Sequence, residues 1–293
     1  LDYELELGVW IGGENPLGAP VPIREAQTRI AGLCLLNDWS ARDIQAWEYQ
    51  PLGPFLSKSF LTTVSPWIIT AEALEPYRVA QPPRPDGDPA PQPYLDDPED
   101  QARGAFSLAL EVRLSTAAMR AAGMADAVIS LSHARHMYWT VGQMIAHHAS
   151  NGCNLNPGDL LGTGTISAPT PEGVGSLLEK TRGGAEPLRL ETGETRAFLE
   201  DGDEITLTGR LSAPGFVDLG FGACRGVVEG AAKGCRPRPC RQCPRLGRRL
   251  EGAPLSLSAG IPGRQPPQTL AVKFMQLSRQ CCISDASACA KRF

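Results

Sequence analysis

The sequence predicts an α+β fold that is mostly β, a mixed β-sandwich or β-roll with a few short helices. Three observations carry this. Polar and apolar residues alternate in Tyr3-Glu4-Leu5-Glu6-Leu7 and again from Phe106 to Leu114, the period of half-buried strands. Short apolar segments at 159–166, 176–181, 188–190, 204–211 and 216–222 are separated by Gly, Pro and Asp turns. One stretch, Met137 to Ala149, stands out as a helix, so strands and helices do not alternate as βαβ units.

In chain order, residues 1–12 read as a strand and residues 12–18 as a Gly-Asn-Pro turn. Ile23 to Arg29 predicts a short helix, leading into the apolar run Ile30 to Leu36, a buried strand that ends at Asp38. Ser40 has the chemistry of an N-cap for a short helix through Trp47, which would place Arg42 and Gln45 on neighbouring faces. Pro66 to Leu74 reads as a further strand. The Pro- and Asp-rich residues 76–102 read as an exposed loop. No internal repeat is visible.

The 293 residues are 42% hydrophobic and 20% charged, the composition of a globular protein. No run approaches 18 apolar residues, so no membrane span and no membrane partner is expected. Twelve of the 28 basic residues but three of the 32 acidic ones follow Val228, leaving a net charge of −13 before that point and +9 after it. Cysteines divide likewise: Cys34, Cys153 and Cys224 in the body, and six more in the tail. Body cysteines within apolar runs suggest reduced thiols and a cytoplasmic protein. Two regions follow, a body over 1–228 and a basic Cys/Pro/Arg-rich tail over 229–293, expected to be disordered. Cys240 and Cys243 give half of a zinc spacing, with no suitable second pair. The tail's arginines lack interleaved aromatics, so no specific nucleic acid is expected. The start at Leu1, directly in a strand, reads as a fragment that begins within a longer protein.

On the first strand Glu4 and Glu6 point to one side, and Asp38 closes the buried strand. Spacing alone leaves two readings. Either these are a solvated face and a turn cap, or the three carboxylates hold a hard divalent cation, which would remove their mutual repulsion.

The block Asn37-Asp38-Trp39-Ser40-Ala41-Arg42-Asp43-Ile44-Gln45 resembles the signature of the fumarylacetoacetate hydrolase family. The resemblance continues through Trp47 to Phe55, Lys58 to Trp67, Met137 to Thr140, His147 to Leu155, Pro157 to Ser167 and Gly175 to Glu179, in the family's order, up to about Val228. Trp47 to Phe55 and the Pro-rich insert are closer to the family's β-diketone hydrolases than to its acylpyruvate hydrolases or oxaloacetate decarboxylases.

This resemblance implies a β-sandwich or β-roll catalytic domain that hydrolyses the carbon–carbon bond of a β-diketo acid to fumarate and acetoacetate. It implies a Ca2+ or Mg2+ ion held by Glu4, Glu6 and Asp38, and a second ion near Asp38, Lys58 and Thr62. An ammonium has no lone pair, so Lys58 would ligate only through its backbone carbonyl. It implies Glu179 as the residue that works with a general base on water, with Arg42, Gln45 and Lys58 as donors to the oxyanion or substrate. Gln45, Tyr49 and Thr165 would contact the substrate, and the protein would be a homodimer. The family's fourth carboxylate and its base, a His, correspond to positions upstream of residue 1, so weak metal binding and slow turnover are expected of these 293 residues. His133, His136, His147 and His148 do not match the catalytic His, and the pair at 147–148 reads as structural. The alternatives are another reaction of the family, or a non-catalytic fragment whose basic tail binds an anionic partner.

Overall fold

The structure is a computed structural model and describes residues 1–230. The expectations for the tail, including Cys240 and Cys243, fall on residues 231–293, outside the described residues. Among the described residues strand exceeds helix, in agreement with an α+β fold that is mostly β.

Two antiparallel sheets make the body. β1 (Leu5–Ile11) is followed by α1 (Ile23–Ala26) and a 3-10 turn, then by the long β2 (Ile30–Asp38). β1 and β2 pair along their whole length, Leu5 opposite Asn37 and Gly8 opposite Cys34. After α2 (Arg42–Glu48), β3 (Thr62–Val64) and β4 (Ile69–Thr70) both add to β2, and α3 (Ala71–Leu74) follows. β5 (Arg78–Val79), α4 (Pro98–Arg103) and β6 (Ala105–Phe106) lead into the second sheet. That sheet runs through β7 (Leu108–Ser115), α5 (Ala117–Ala121) and β8 (Ala127–His133). The chain then crosses by α6 (Val141–Ala149) to β9 (Leu160–Gly162), which completes the first sheet in the order β3-β2-β1-β9. α7 (Leu177–Lys180) and the hairpin of β10 (Leu188–Arg189) and β11 (Thr195–Arg196) precede β12 (Glu204–Leu211). β12 pairs with β7, with β13 (Leu219–Gly220) and with β14 (Cys224–Val227).

The core lies between the sheets. Leu5, Leu7, Leu33 and Leu35 from the first share one buried cluster with Leu108, Leu110, Val112, Leu114, Ile205 and Leu207 from the second. Alternation along β7 directs these side chains inward, each worth about 1.5–3 kcal/mol on burial. Gly209 permits close approach, since a Cβ there would stand 3.0 Å from the Leu35 side chain. Beside the core, Arg196 grips Asp203 with two bonds, Nε to Oδ2 at 2.7 Å and NH2 to Oδ1 at 3.0 Å, and Asp203 is fully buried.

Several local expectations are corrected. Ser40 is not a helix cap: Ala41 holds that position without a side-chain bond, and Ser40 Oγ turns to Glu4 and Lys58. Residues 66–74 form a two-residue strand and then α3, because the Thr70 hydroxyl caps a helix. Segment 76–102 is not simply an exposed loop. Tyr77, Leu95 and Asp100 are buried, and Asp100 accepts bonds from Gln27 and Thr140 that tie the segment to α6. The helix expected from Met137 starts at Val141, where Thr140 and Gln143 form a capping box. Residues 177–180 are helical and not a strand.

Candidate active site and metal centre

Period-two alternation puts Glu4 and Glu6 on one side of the first strand, and the β1–β2 pairing carries Asp38 beside them. One carboxylate oxygen from each lies within 4.8 Å of the other two. Two ligands of one Ca2+ ion, each about 2.3–2.6 Å from it, are separated by no more than about 5 Å, so the spacing fits a shared hard cation. Gly162 supports the arrangement by having no side chain. A Cβ there would stand 2.6 Å from Glu6 Oε2, which instead accepts a bond from Gly164 N at 3.0 Å.

Without a cation the cluster is under electrostatic stress. Burial, and then the charges of Asp38 and Glu4, push the Glu6 carboxyl up to about 8. Burial raises Asp38 too, against the pull of Lys58. For Glu4 burial acts in the same direction, but Lys58 and Arg42 outweigh it and hold the group below the usual range.

Two side chains supply positive charge. Lys58 Nζ lies 2.8 Å from Glu4 Oε2, from Asp38 Oδ2 and from Ser40 Oγ. Arg42 opens α2 and reaches back to the first strand, with NH1 donating to Glu4 Oε1 and to Gln45 Oε1, each at 2.8 Å. Its other edge, Nε and NH2, grips Asp2 Oδ2 at 2.9 and 2.8 Å. The neighbouring Asp43 accepts from Ile44 N. With all groups charged, Asp2, Glu4, Glu6 and Asp38 against Arg42 and Lys58 leave two negative charges, the complement of a divalent ion.

A cavity of about 470 Å3 opens beside this cluster, lined among others by Glu4, Arg42, His136, Tyr138, Thr165 and Glu179. Its size suits a small ligand. Glu179 sits in α7, where Ser176 caps the helix. Its carboxylate accepts from Ser167 Oγ at 2.9 and 3.0 Å and from Ser176 Oγ at 2.9 Å. The adjacent Lys180 does not pair with it, since Lys180 Nζ donates to Pro171 O.

Residues 1–229 match the family model described as fumarylacetoacetate (FAA) hydrolase C-terminal. The chain belongs to the fumarylacetoacetate hydrolase family. It is 50% identical over 229 residues to a fumarylacetoacetase of Arabidopsis thaliana, covering 78% of this chain and 51% of that protein. It is also 50% identical over 228 residues to a fumarylacetoacetase of Homo sapiens, covering 78% and 52%. The chain thus spans about half the length of the curated relatives it matches.

Of the residues that the family resemblance nominates, the fold brings together Glu4, Glu6, Asp38, Arg42, Gln45 and Lys58, with Thr165 and Glu179 lining the adjoining cavity. Thr62 faces Asp38 across the β2–β3 pairing. Tyr49 ends α2 half exposed and does not line the cavity. Among the histidines, His147 contacts Tyr94, and His148 contacts Cys153 and lines a second cavity with Gly162 and Gly164. His136 does line the cavity, and burial followed by the Arg135 charge holds it below the usual imidazole range. Asp2, Ser167 and Ser176 were missed. Asp2 was accessible to pattern reading, because Asp2, Glu4 and Glu6 continue one period-two series.

Proposed function

We propose that this domain serves a fumarylacetoacetase, hydrolysing the carbon–carbon bond of 4-fumarylacetoacetate to fumarate and acetoacetate in tyrosine and phenylalanine breakdown. The observation that carries the reading is a cluster of three carboxylates and two fixed cations whose Glu4 and Arg42 line one cavity with Glu179. The half-length identity to fumarylacetoacetases supports the same substrate. The reading includes a cytoplasmic homodimer.

Glu4, Glu6 and Asp38 would hold a Ca2+ or Mg2+ ion; both take all-oxygen ligands. When bound, the ion supplies Lewis acidity that spreads the negative charge of a departing enolate. Arg42 and Lys58 set positive charge in place before reaction, as oxyanion stabilisation requires; the Arg42 NH2 hydrogen not turned to Asp2 is left as a donor, while the three Lys58 hydrogens face Glu4, Asp38 and Ser40. Because Gln45 Oε1 already accepts from Arg42, its amide nitrogen is left to donate towards substrate. Glu179 is acceptor-only when ionised, so it orients a water or a base through the proton it accepts. Ser167 and Ser176 hold that carboxylate in place. Thr165 offers a hydroxyl to a substrate acid group at the cavity wall.

Loss of the β-diketone's ultraviolet absorbance follows the reaction. The intact protein is expected to hydrolyse fumarylacetoacetate, to stop when EDTA is added, and to slow by about 100-fold or more as Glu179→Gln. Equal rates in all three conditions would rule the reading out.

A further inference from the structure

Asp2 is fully buried, and its side chain receives four hydrogen bonds and one further ion contact. Oδ1 accepts from Tyr3 N at 2.9 Å and Leu177 N at 2.8 Å, and Oδ2 accepts from Leu178 N and Arg42 Nε, each at 2.9 Å, and lies 2.8 Å from Arg42 NH2 in an ion pair. Its backbone is held separately, by Asp2 N to Ser40 O at 2.9 Å and Ser40 N to Asp2 O at 3.0 Å. The sheet edge is therefore closed without the carboxylate.

What the carboxylate adds is a link between two remote parts of the cavity wall. Arg42 comes from α2, and Leu177 and Leu178 directly precede Glu179 in α7. Arg42 and Glu179 line the same cavity, with Glu4. The same guanidinium that grips Asp2 by one edge touches Glu4 by NH1 alone. Released from Asp2, it would be free to turn a two-pronged face to Glu4, taking up the oxygens that a cation needs.

We propose that Asp2 is the positioning residue of this site: one buried carboxylate fixes the Arg42 fork and the Glu179 backbone in mutual register and limits how far Arg42 neutralises Glu4. The proposal rests on the functional reading above for its catalytic half and on the acidic cluster alone for its cation half. Only an acceptor-only group satisfies all four donors. An amide would turn a donor towards an N–H or towards the guanidinium.

The test compares the intact protein with Asp2→Asn and Asp2→Glu. Circular dichroism and melting report folding, calorimetric titration gives the Ca2+ affinity, and steady-state kinetics separate kcat from KM. Asp2→Asn is expected to weaken Ca2+ binding by about tenfold or more. It is expected to lower kcat by about 10- to 100-fold with KM moving less than about threefold, since misplacement and not lost contact is the defect. Asp2→Glu keeps the charge with its head displaced by one methylene, and is expected to recover part of both losses. A folded Asp2→Asn protein with a lower melting temperature but the wild-type Ca2+ affinity and kcat would make Asp2 a structural anchor and overturn the proposal. If Asp2→Asn does not fold, Asp2→Glu decides, and wild-type affinity and kcat in that variant overturn it equally. If the wild-type protein hydrolyses no β-diketo acid, the functional reading fails and the Ca2+ titrations alone judge Asp2.

Discussion

Replacing Gly162 by alanine adds one methyl group against the proposed cation cluster. The new Cβ would meet Glu6 Oε2 at 2.6 Å, so the carboxylate has to retreat by about 0.8 Å to reach an ordinary 3.4 Å contact. Gly162 is not among the glycines with positive φ, so alanine fits the backbone and the clash is with the Glu6 side chain alone. Ligand distances at a metal site tolerate about 0.2 Å, several times less than this shift. The retreat also strains the bond from Gly164 N that now aims Glu6. Changes of this kind at a metal site cost about 10- to 100-fold in affinity, or about 1.4–2.8 kcal/mol. Calorimetric Ca2+ titration of Gly162→Ala beside the wild type measures this directly, with melting curves to show that both are folded. A folded variant that binds Ca2+ as tightly as the wild type would refute the assignment of Glu6 as a ligand.

Other expectations concern the frame around the site. Asp203→Ala removes the bidentate partner of Arg196 but leaves it Glu194 and Glu200, and is expected to cost about 1.5–3 kcal/mol; an unchanged melting temperature would contradict the buried pair. Asp100 is raised above the usual carboxylate range by burial, despite bonds from Thr140 and Gln27. The folded state therefore binds this proton more tightly than the unfolded state, so the group's contribution to stability falls as pH rises from about 4, its unfolded value. Asp100→Asn should flatten that part of the decline, and urea unfolding at pH 4 and pH 7 that shows the same decline in both proteins would count against it. Ser167→Ala removes two of the three contacts from hydroxyl groups to Glu179 and is expected to lower kcat by about tenfold with little change in melting temperature, because the serine is at the cavity surface. A wild-type kcat there would show that Ser176 holds Glu179 alone.

The legible parts of this molecule are those set by neighbours in sequence. Period two placed Glu4 beside Glu6, and an apolar run ending in Asn37-Asp38 delivered Asp38 to the end of a buried strand. Where burial and hydrophobicity part company, pattern reading fails. In β8 the serines 130 and 132 are buried while Val128 and Leu131 face out, so the strand was not recognised. Residues 177–180 look like a strand by composition, yet Ser176 caps them and Asp2 accepts two of their free N–H groups, which stabilises a helical turn. Arg42 and Lys58 reach Glu4 across 38 and 54 residues of chain, separations that no local spacing encodes.

The ammonium of Lys58 has a consequence for how the protein lives with and without mineral ions. A tethered charge rests against Glu4 and Asp38 in the folded protein, so the acidic pocket is not left wholly unbalanced when calcium and magnesium are scarce. Recruitment of the ion can then follow assembly of the polypeptide, unlike the small zinc domains that collapse without their metal. Chelation should silence such a protein without unravelling it, and resupply should restore it at once.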